Sequence, residues 1–347
     1  MGCQIMKFTK SLKCALFSSA LLFSSYASAY SVGISFPTQN EDRWYEEGFL
    51  LDKELRNKGF DSYLFFAGDL DINLQKRQIR RLIDQGVDTL IIAAVDTYQL
   101  NDVLKEAKAK NIKVIAYDRL IMNTKDVDYY SAVDNEMSGE LQGEYIIKHL
   151  NPDGDNIKRM EVFTGSLDDA NSQFFLEGAM KKMSGFMVME YLLIPSKEEK
   201  QEDTAIEGWS TELANKRMGQ LIEKIGYGPN SSVKLDAVLC PNDAIADGVI
   251  FALKKAGFTK ENMPIITGCD ASREGLRNID EGLQAMTIYK TTELVTSTVD
   301  MVVSLSKGQK PEINDSFTYD NGAQIMNSFL SNPEEIDYSN YKRLMKN

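Results

Sequence analysis

The sequence predicts an α/β protein in which parallel sheets are covered by helices on both faces. Short apolar runs alternate with longer amphipathic stretches along most of the chain, as where SVGISF (31–36) precedes RWYEEGFLLDKELRNKG (43–59). The apolar runs are continuous in Val, Ile and Leu, which suits strands that are buried on both sides. Strand–helix–strand repetition of this kind indicates parallel sheets.

The apolar runs predict ten strands in chain order. They are SVGISF (31–36), SYLFFAG (62–68), DTLIIAAV (88–95), KVIAY (113–117), YYSAV (129–133), MEVFTG (160–165), MVMEYLL (187–193), DAVLC (236–240), PIITG (264–268) and AMTIY (285–289). Most are separated by amphipathic stretches that predict helices. A joint between two such series is expected near YYSAVDNE (129–136), because one series ends there and another begins.

The first 29 residues have the pattern of a cleavable secretory signal peptide. Lys7, Lys10 and Lys13 give a positive start, and Ala27-Ser28-Ala29 forms a small-residue cleavage site. The apolar middle, CALFSSALLFSS, is shorter than the ~20 residues that a membrane span needs. A membrane anchor is the alternative interpretation, but the pattern favours an exported, soluble protein.

The chain has 347 residues and a net charge of −12, and removal of the three signal-peptide lysines makes that charge more negative. This length allows two domains of ordinary size. An acidic surface argues against nucleic acid and anionic membranes as partners.

Several chemical functions find no support in the sequence. His149 is the single histidine and lies in a predicted helix, so no Ser-His-Asp or Cys-His set can form. No histidine cluster or CxxC pair indicates a metal site, and no glycine-rich phosphate loop indicates a nucleotide cofactor. Asp168 and Asp169 make a poor glycosidase pair, because adjacent side chains seldom project onto one bond. We therefore expect no enzyme activity, metal or cofactor.

Polar residues cluster after the predicted strands, where ligands bind in open α/β sheets. The clusters are Asp118-Arg119, Asp134-Asn135, residues 166–171, Asn242-Asp243, Asp270 and Lys290, with Arg43-Trp44 a little beyond the first strand. Helix capping explains some of them, and Asp243 is expected to cap the helix that follows it. It does not explain Arg43, Arg119 or Lys290, because a cation at a helix N-terminus opposes the helix dipole.

The composition of these clusters predicts a crevice for a small polyhydroxylated ligand. Carboxylates accept hydrogen bonds, amides both donate and accept, and Arg and Lys only donate. Trp44 and Trp209 lie near the clusters and offer flat apolar faces. A sugar, with many hydroxyls and an apolar C–H face, matches this mixture.

The ordered motifs AYDRLI, AVDN, GSLDDANSQFFLEGAM, PNDAIADG, GCDA and MTIYK resemble those of the periplasmic monosaccharide-binding proteins of ABC transporters, among them the xylose-binding and multiple-sugar-binding receptors. The resemblance runs from about Ser31 to the end. It implies a type I binding protein, with two doubly wound Rossmann-like lobes joined by a hinge near Asp134 and Lys290. The expected N-terminal lobe is 30–135 plus 291–316, and the expected C-terminal lobe is 136–290 plus 317–347.

The resemblance also implies a function and its partners. The protein would bind an aldopyranose such as xylose, glucose, galactose, arabinose or fucose in the periplasm and deliver it, as a monomer, to a membrane permease. The alternative is a sensing role, in which the bound form docks on a chemoreceptor or sensor-kinase ectodomain.

Carried over by motif, the resemblance places ten residues on the sugar. They are Arg43, Trp44, Asp118, Arg119, Asp169, Asn171, Trp209, Asn242, Asp270 and Lys290. Trp44 and Trp209 would stack on the ring, and Asp118 with Arg119 would form half of a hydroxyl clamp; a surface ion pair is the alternative for these two. Leu167 and Ala170 depart from the family pattern, and with Phe174 and Phe175 they would govern the room for a C6 hydroxymethyl.

Cys240 and Cys269 each end a predicted strand of the second lobe. If those two strands are neighbours, the sulfur atoms could approach each other. A disulfide behind the pocket is therefore a hypothesis that the sequence allows.

Overall fold

The structure, a computed structural model, describes Met1, residues 29–289 and residues 293–345. Nearly all of the predicted signal peptide, and Lys290, lie outside the described residues. The strands are β1 Ser31–Phe36, β2 Asp61–Phe66, β3 Thr89–Ile92, β4 Lys113–Tyr117, β5 Tyr129–Val133, β6 Lys158–Val162, β7 Leu192–Leu193, β8 Ala237–Leu239, β9 Ile265–Ile266, β10 Met286–Tyr289, β11 Ser328–Ser331 and β12 Glu334–Asp337.

Most of the helices alternate with these strands, as predicted. They are α1 Asp42–Asn57, α2 Ile72–Gln85, α3 Asn101–Ala109, α4 Asn135–Leu150, α5 Asn171–Val188, α6 Gln201–Thr204, α7 Thr211–Ile225, α8 Asp243–Lys255, α9 Arg273–Asp280 and α10 Glu293–Ser306, with 3-10 turns at Glu207–Trp209 and Tyr341–Arg343. Within the described ranges, every helix is too short or too polar to cross a bilayer.

The first sheet has six parallel strands in the order β11-β5-β4-β3-β1-β2. Its central strands are fully buried, and α2 packs on one face through Ile79 and Leu82. On the other face, α1 and α10 cover the sheet with residues such as Leu51 and Val299. The predicted parallel sheet with helices on both faces is confirmed.

The second sheet has four parallel strands in the order β7-β6-β8-β9, and β10 pairs with β12 in a separate antiparallel ribbon. The strand predicted over 187–193 is reduced to Leu192–Leu193. The reason is that Met187 and Val188 continue α5, and the Val188 side chain is exposed instead of buried in a sheet.

The order of the described elements takes the chain between the two sheet systems three times: from β5 to α4, from β10 to α10, and from β11 to β12. The sequence placed all of 317–347 in the second lobe, but β11 pairs with β5 in the first sheet. Tyr319 and Met326 also lie in the core of the first sheet. The tail therefore returns to the first lobe before it ends in the second, because β5 offers β11 a parallel edge.

Helices α4 and α5 touch through their backbones. A Cβ atom at Gly139 would clash with the carbonyl oxygen of Phe175, and one at Gly178 would clash with the carbonyl oxygen of Glu136. Only glycine permits so close a crossing. As a result, α4 and α5 form one packed unit. Helix α4 follows the first crossing between the sheets, and α5 begins at Asn171.

Candidate functional site

A cavity of about 40 Å³ lies where the carboxyl ends of the two parallel sheets face each other. The structure brings together nine of the ten predicted ligand residues along its wall: Arg43, Trp44, Asp118, Arg119, Asp169, Asn171, Trp209, Asn242 and Asp270. The tenth, Lys290, lies outside the described residues. The ligand role of all ten stays a prediction.

Asp118 and Arg119 follow β4 and are both buried, with exposed fractions of 3% and 6%. The alternative of a surface ion pair is therefore wrong. Asp118 has a φ of 60°, which is uncommon for a residue other than glycine and indicates a backbone held in a defined turn. This turn sends the two side chains to different partners.

Arg119 links the two lobes. Its Nη1 donates a hydrogen bond to the carbonyl oxygen of Ala94 at 3.0 Å, in the first lobe. Its Nε lies 2.9 Å from Oδ2 of Asp169, which belongs to the second lobe. Burial raises the pKa of Asp169, and the positive charge of Arg119 opposes that rise. The pair crosses the cleft without water between its members.

Arg43, near the start of α1, is surrounded by carboxylates. Its Nε donates to Glu47 at 2.9 Å, a further N–H group donates to Asp118, and Nη1 lies 3.8 Å from Asp270 across the cleft. Burial lowers the pKa of Arg43, but the charges of Asp118, Glu47 and Asp270 outweigh it and raise the pKa well above the ordinary value. Arg43 therefore stays charged in the cleft.

Trp44 is almost fully buried and packs edge-on against Phe36. The guanidinium groups of Arg43 and Arg119 lie 4.4 and 5.5 Å from its ring centroid, within the range of cation–π attraction. The two arginines thus lie close to the Trp44 ring, which the family resemblance predicts to stack on the sugar.

Trp209 reaches the cavity from the second lobe, and its own backbone has a φ of 57°. Its ring packs edge-on against Phe175 and lies against Gly165, where any Cβ atom would clash with it. The indole Nε1 is buried and has no hydrogen-bond partner among the described protein atoms. It is a donor that a ligand oxygen could satisfy.

Asn171 and Asn242 stand at helix starts but differ in what their side chains do. Nδ2 of Asn171 donates to the carbonyl oxygen of Asp118 at 2.9 Å, so this amide ties the second lobe to the first. Oδ1 of Asn242 accepts from the N–H of Ile245 at 3.0 Å and caps α8. The expectation that Asp243 caps this helix is wrong, because the preceding amide takes that position.

Sequence analysis missed Glu41 as a residue that lines the cavity. It directly precedes α1 and resembled an ordinary polar helix start, so no local signal set it apart. Of the four side chains expected to govern room at C6, Phe175 lines the cavity, whereas Leu167 is exposed and Phe174 packs against Tyr319 in the first lobe. Ala170 is buried, and its N–H donates to Thr97 at 3.2 Å.

The disulfide hypothesis is wrong, since Cys240 and Cys269 are both buried thiols that no disulfide joins. Val238 on β8 lies opposite Ile266 on β9, so the same register brings Cys240 opposite Gly268. Cys269 is one residue further and packs in a different cluster, with Tyr145 and Phe175. It lines the cavity, whereas Cys240 lies in the core beneath α8.

A larger cavity of about 580 Å³ lies wholly in the second lobe, beside α7. Three of its charged groups already pair with one another: Glu198 lies 2.8 Å from Arg217 and 2.8 Å from Lys224. The smaller cavity is the better candidate site, because both lobes contribute charged side chains to it and the Trp209 indole donor there has no partner among the described protein atoms.

The smaller cavity has room for about three water molecules, which is less than a monosaccharide needs. Its acids and arginines pair with each other, so they occupy the space between the sheets. A ligand with several hydroxyls could replace these pairs bond for bond, since each hydroxyl donates to a carboxylate and accepts from a guanidinium.

Comparisons with known proteins agree with this architecture. The family model for the periplasmic binding protein domain matches residues 32–310. The multiple sugar-binding periplasmic receptor ChvE of Rhizobium radiobacter is 37% identical over 91% of this chain and 89% of its own length. The D-xylose-binding periplasmic protein of Escherichia coli is 31% identical over 92% of this chain and 90% of its own.

Among solved structures, an ABC transporter solute-binding protein from Clostridium phytofermentans with bound β-D-glucose superposes with a TM-score of 0.86. It is 39% identical, and the match covers 91% of this chain and 96% of that one. Together with the two parallel sheets that face each other across a charged cleft, these matches show that the chain belongs to the periplasmic binding protein family.

Proposed function

We propose that this protein is a periplasmic substrate-binding protein that captures an aldopyranose between its two lobes and delivers it to the membrane permease of an ABC transporter. The observation that carries the proposal is the convergence of charged strand-end side chains and two tryptophans from both lobes on one cavity. Glucose is the first sugar to test, because a relative 39% identical to this chain holds it.

Arg43, Asp118 and Arg119 of the first lobe would bind sugar hydroxyls together with Asp169 and Asp270 of the second. A ligand that contacts both lobes stabilises the closed arrangement only by its differential affinity for that arrangement. Hinge motion would then occur at the chain crossings, as in other two-lobed proteins that close around a ligand. The closed form is the one that would dock on the permease.

The proposal is tested by titration calorimetry of the purified protein with D-glucose, D-xylose, D-galactose, L-arabinose and L-fucose. We expect at least one sugar to bind with a Kd near 1 µM or tighter, which corresponds to about −8 kcal/mol. As a control, Glu212→Gln changes an exposed charge on α7, away from the cavity, and should bind the same sugar equally well. No heat with any of the five sugars would contradict the proposal.

A further inference from the structure

Asp243 is a buried carboxylate that no part of the proposed binding chemistry uses. It is the first residue of α8 and has an exposed fraction of 2%. Since Asn242 caps the helix, the Asp243 side chain is available for another role. It lies directly behind the cavity wall formed by Asn242 and Asp270.

Three donors from other elements converge on this carboxylate. The Thr287 hydroxyl and the Gln284 amide donate to Oδ1 at 2.7 and 2.8 Å. The backbone N–H of Ser272 donates to Oδ2 at 2.8 Å. Asp243 thus joins α8, the region of β10 and the loop that precedes α9.

The loop so held carries Asp270 and has an unusual backbone. Asp270 has a φ of 99° and Ala271 a φ of 47°, both in the region that favours glycine. Such conformations persist only where surrounding contacts impose them. The hydrogen bonds from Ser272 to Asp243 and from Ala271 to Thr287, at 3.2 Å, are contacts of this kind.

Two glycines make room for the carboxylate. A Cβ atom at Gly268 would clash with Oδ1 of Asp243, and one at Gly275 would clash with Oδ2. Gly275 lies inside α9, where alanine is intrinsically preferred by about 1 kcal/mol. The lack of a side chain at both glycines therefore leaves room for the Asp243 carboxylate between the loop and α9.

We propose that Asp243 is a positioning residue that holds the 268–272 loop so that Asp270 presents its carboxylate to the bound sugar. This inference rests on the proposed function for its effect on affinity, but its effect on the loop is measurable without sugar. The pKa of Asp243 supports it: burial, and secondarily the charge of Asp270, raise that pKa to about 7 against the hydrogen bonds of the three donors.

Among the described residues, Asp270 on the loop is a charged group that acts on Asp243. Cys240 approaches from the end of β8, and burial raises the pKa of its thiol well above the ordinary value. On α9, Arg273 is exposed and Glu274 pairs with Arg277. When the pH falls through about 7, protonation of Asp243 should loosen the loop, because a neutral carboxyl accepts the three donors less well.

The test compares Asp243→Asn with Asp247→Asn, a matched change of carboxylate to amide one turn along α8. There the amide oxygen of asparagine can still accept the bond that Asn278 donates. In Asp243→Asn the new amide nitrogen would face the Ser272 N–H, so D-glucose affinity should fall at least tenfold. The wild-type affinity should weaken by up to about tenfold from pH 8 to pH 6. Asp243→Asn should abolish this pH dependence, and Asp247→Asn should retain it.

The amide NMR signals of Asp270 and Ala271 give a readout that needs no sugar. They should titrate near pH 7 in the wild-type protein and stay constant in Asp243→Asn. If they titrate but no sugar binds, the proposed function fails and the positioning role stands. Amides that do not titrate, together with glucose affinity unchanged by Asp243→Asn, would overturn the inference. If Asp243→Asn does not fold, Gly275→Ala takes its place. The added methyl group would displace the Asp243 carboxylate, so the D-glucose affinity should again fall at least tenfold.

Discussion

Nε of Arg119 lies 2.9 Å from Oδ2 of Asp169, and this ion pair joins the two lobes across the cleft with almost no exposure to water. A buried pair is costly to break from one side, because the remaining charge loses its partner in a region of low dielectric. A sugar that separates these side chains must therefore offer hydrogen bonds to both of them.

Asp169→Asn should lower the affinity for D-glucose at least tenfold, or about 1.4 kcal/mol. The substitution keeps an oxygen for the Asn171 N–H but leaves the Arg119 guanidinium without its counter-charge. Calorimetry measures the effect. Asp168→Asn is the matched control, since Asp168 is the neighbouring carboxylate and is not among the described residues that line the cavity. Equal affinities in both variants would count against the pair.

The protein has two tryptophans, and both line the cavity. Sugar binding should therefore change the intrinsic fluorescence, and the change should saturate with the calorimetric Kd. Trp209→Phe should weaken the binding free energy by about 1 kcal/mol or more, because phenylalanine lacks the buried indole N–H that would donate to the ligand. Its remaining fluorescence then reports Trp44 alone. Unchanged affinity in this variant would show that Trp209 does not contact the sugar.

Gly165→Ala should disturb the ligand site without a direct change to any ligand residue. The new methyl group would clash with the Trp209 ring and the Ser172 hydroxyl, so the ring must move. We expect a tenfold or greater loss of affinity by fluorescence titration. Gly185→Ala is the control: it is an exposed position within α5 with open space around it, and it should stabilise the protein by about 0.5–1 kcal/mol in thermal unfolding. Sugar affinity retained in Gly165→Ala would contradict the expectation.

The strand-end residues could be predicted from the sequence as residues of a cleft, because helix capping does not account for all of their charges. Asp118 and Arg119 follow a buried strand, and a cation there serves no capping purpose, so a cleft was the better interpretation. Strands β11 and β12 were not accessible. SFLS and EEID have no long apolar run, and they form strands only because β5 and β10 supply edges that exist after the chain has folded.

Local sequence also could not separate the roles of Asn242 and Asp243. Both residue types are good helix caps, and only the three-dimensional arrangement shows that the amide caps α8 while the carboxylate lies buried between loops. Glu41 illustrates the same limit, since its place on the cavity wall depends on how α1 faces the second lobe.

The two thiols offer a further prediction. Denatured protein without its signal peptide should contain two titratable thiols in the absence of reductant, since no disulfide joins Cys240 and Cys269. In the native protein both should react slowly with a neutral alkylating agent, because they are buried and burial raises the pKa of Cys240. Saturating D-glucose should slow the labelling of Cys269, which lines the cavity, more than that of Cys240. Equal protection of both thiols would argue against this location of the sugar.

The three chain crossings constrain how the lobes can move. Two bodies joined by a single segment can both bend and twist, whereas three separate connections leave essentially one rotational degree of freedom. Two of the connections are very short: Asp134 alone joins β5 to α4, and Asn332 and Pro333 join β11 to β12, where the proline ring fixes one backbone angle. Every carboxylate of the second lobe would then approach the first lobe along one fixed arc. Sugars of different shape would meet the same closing motion, and the contacts in the fully closed arrangement alone would distinguish them.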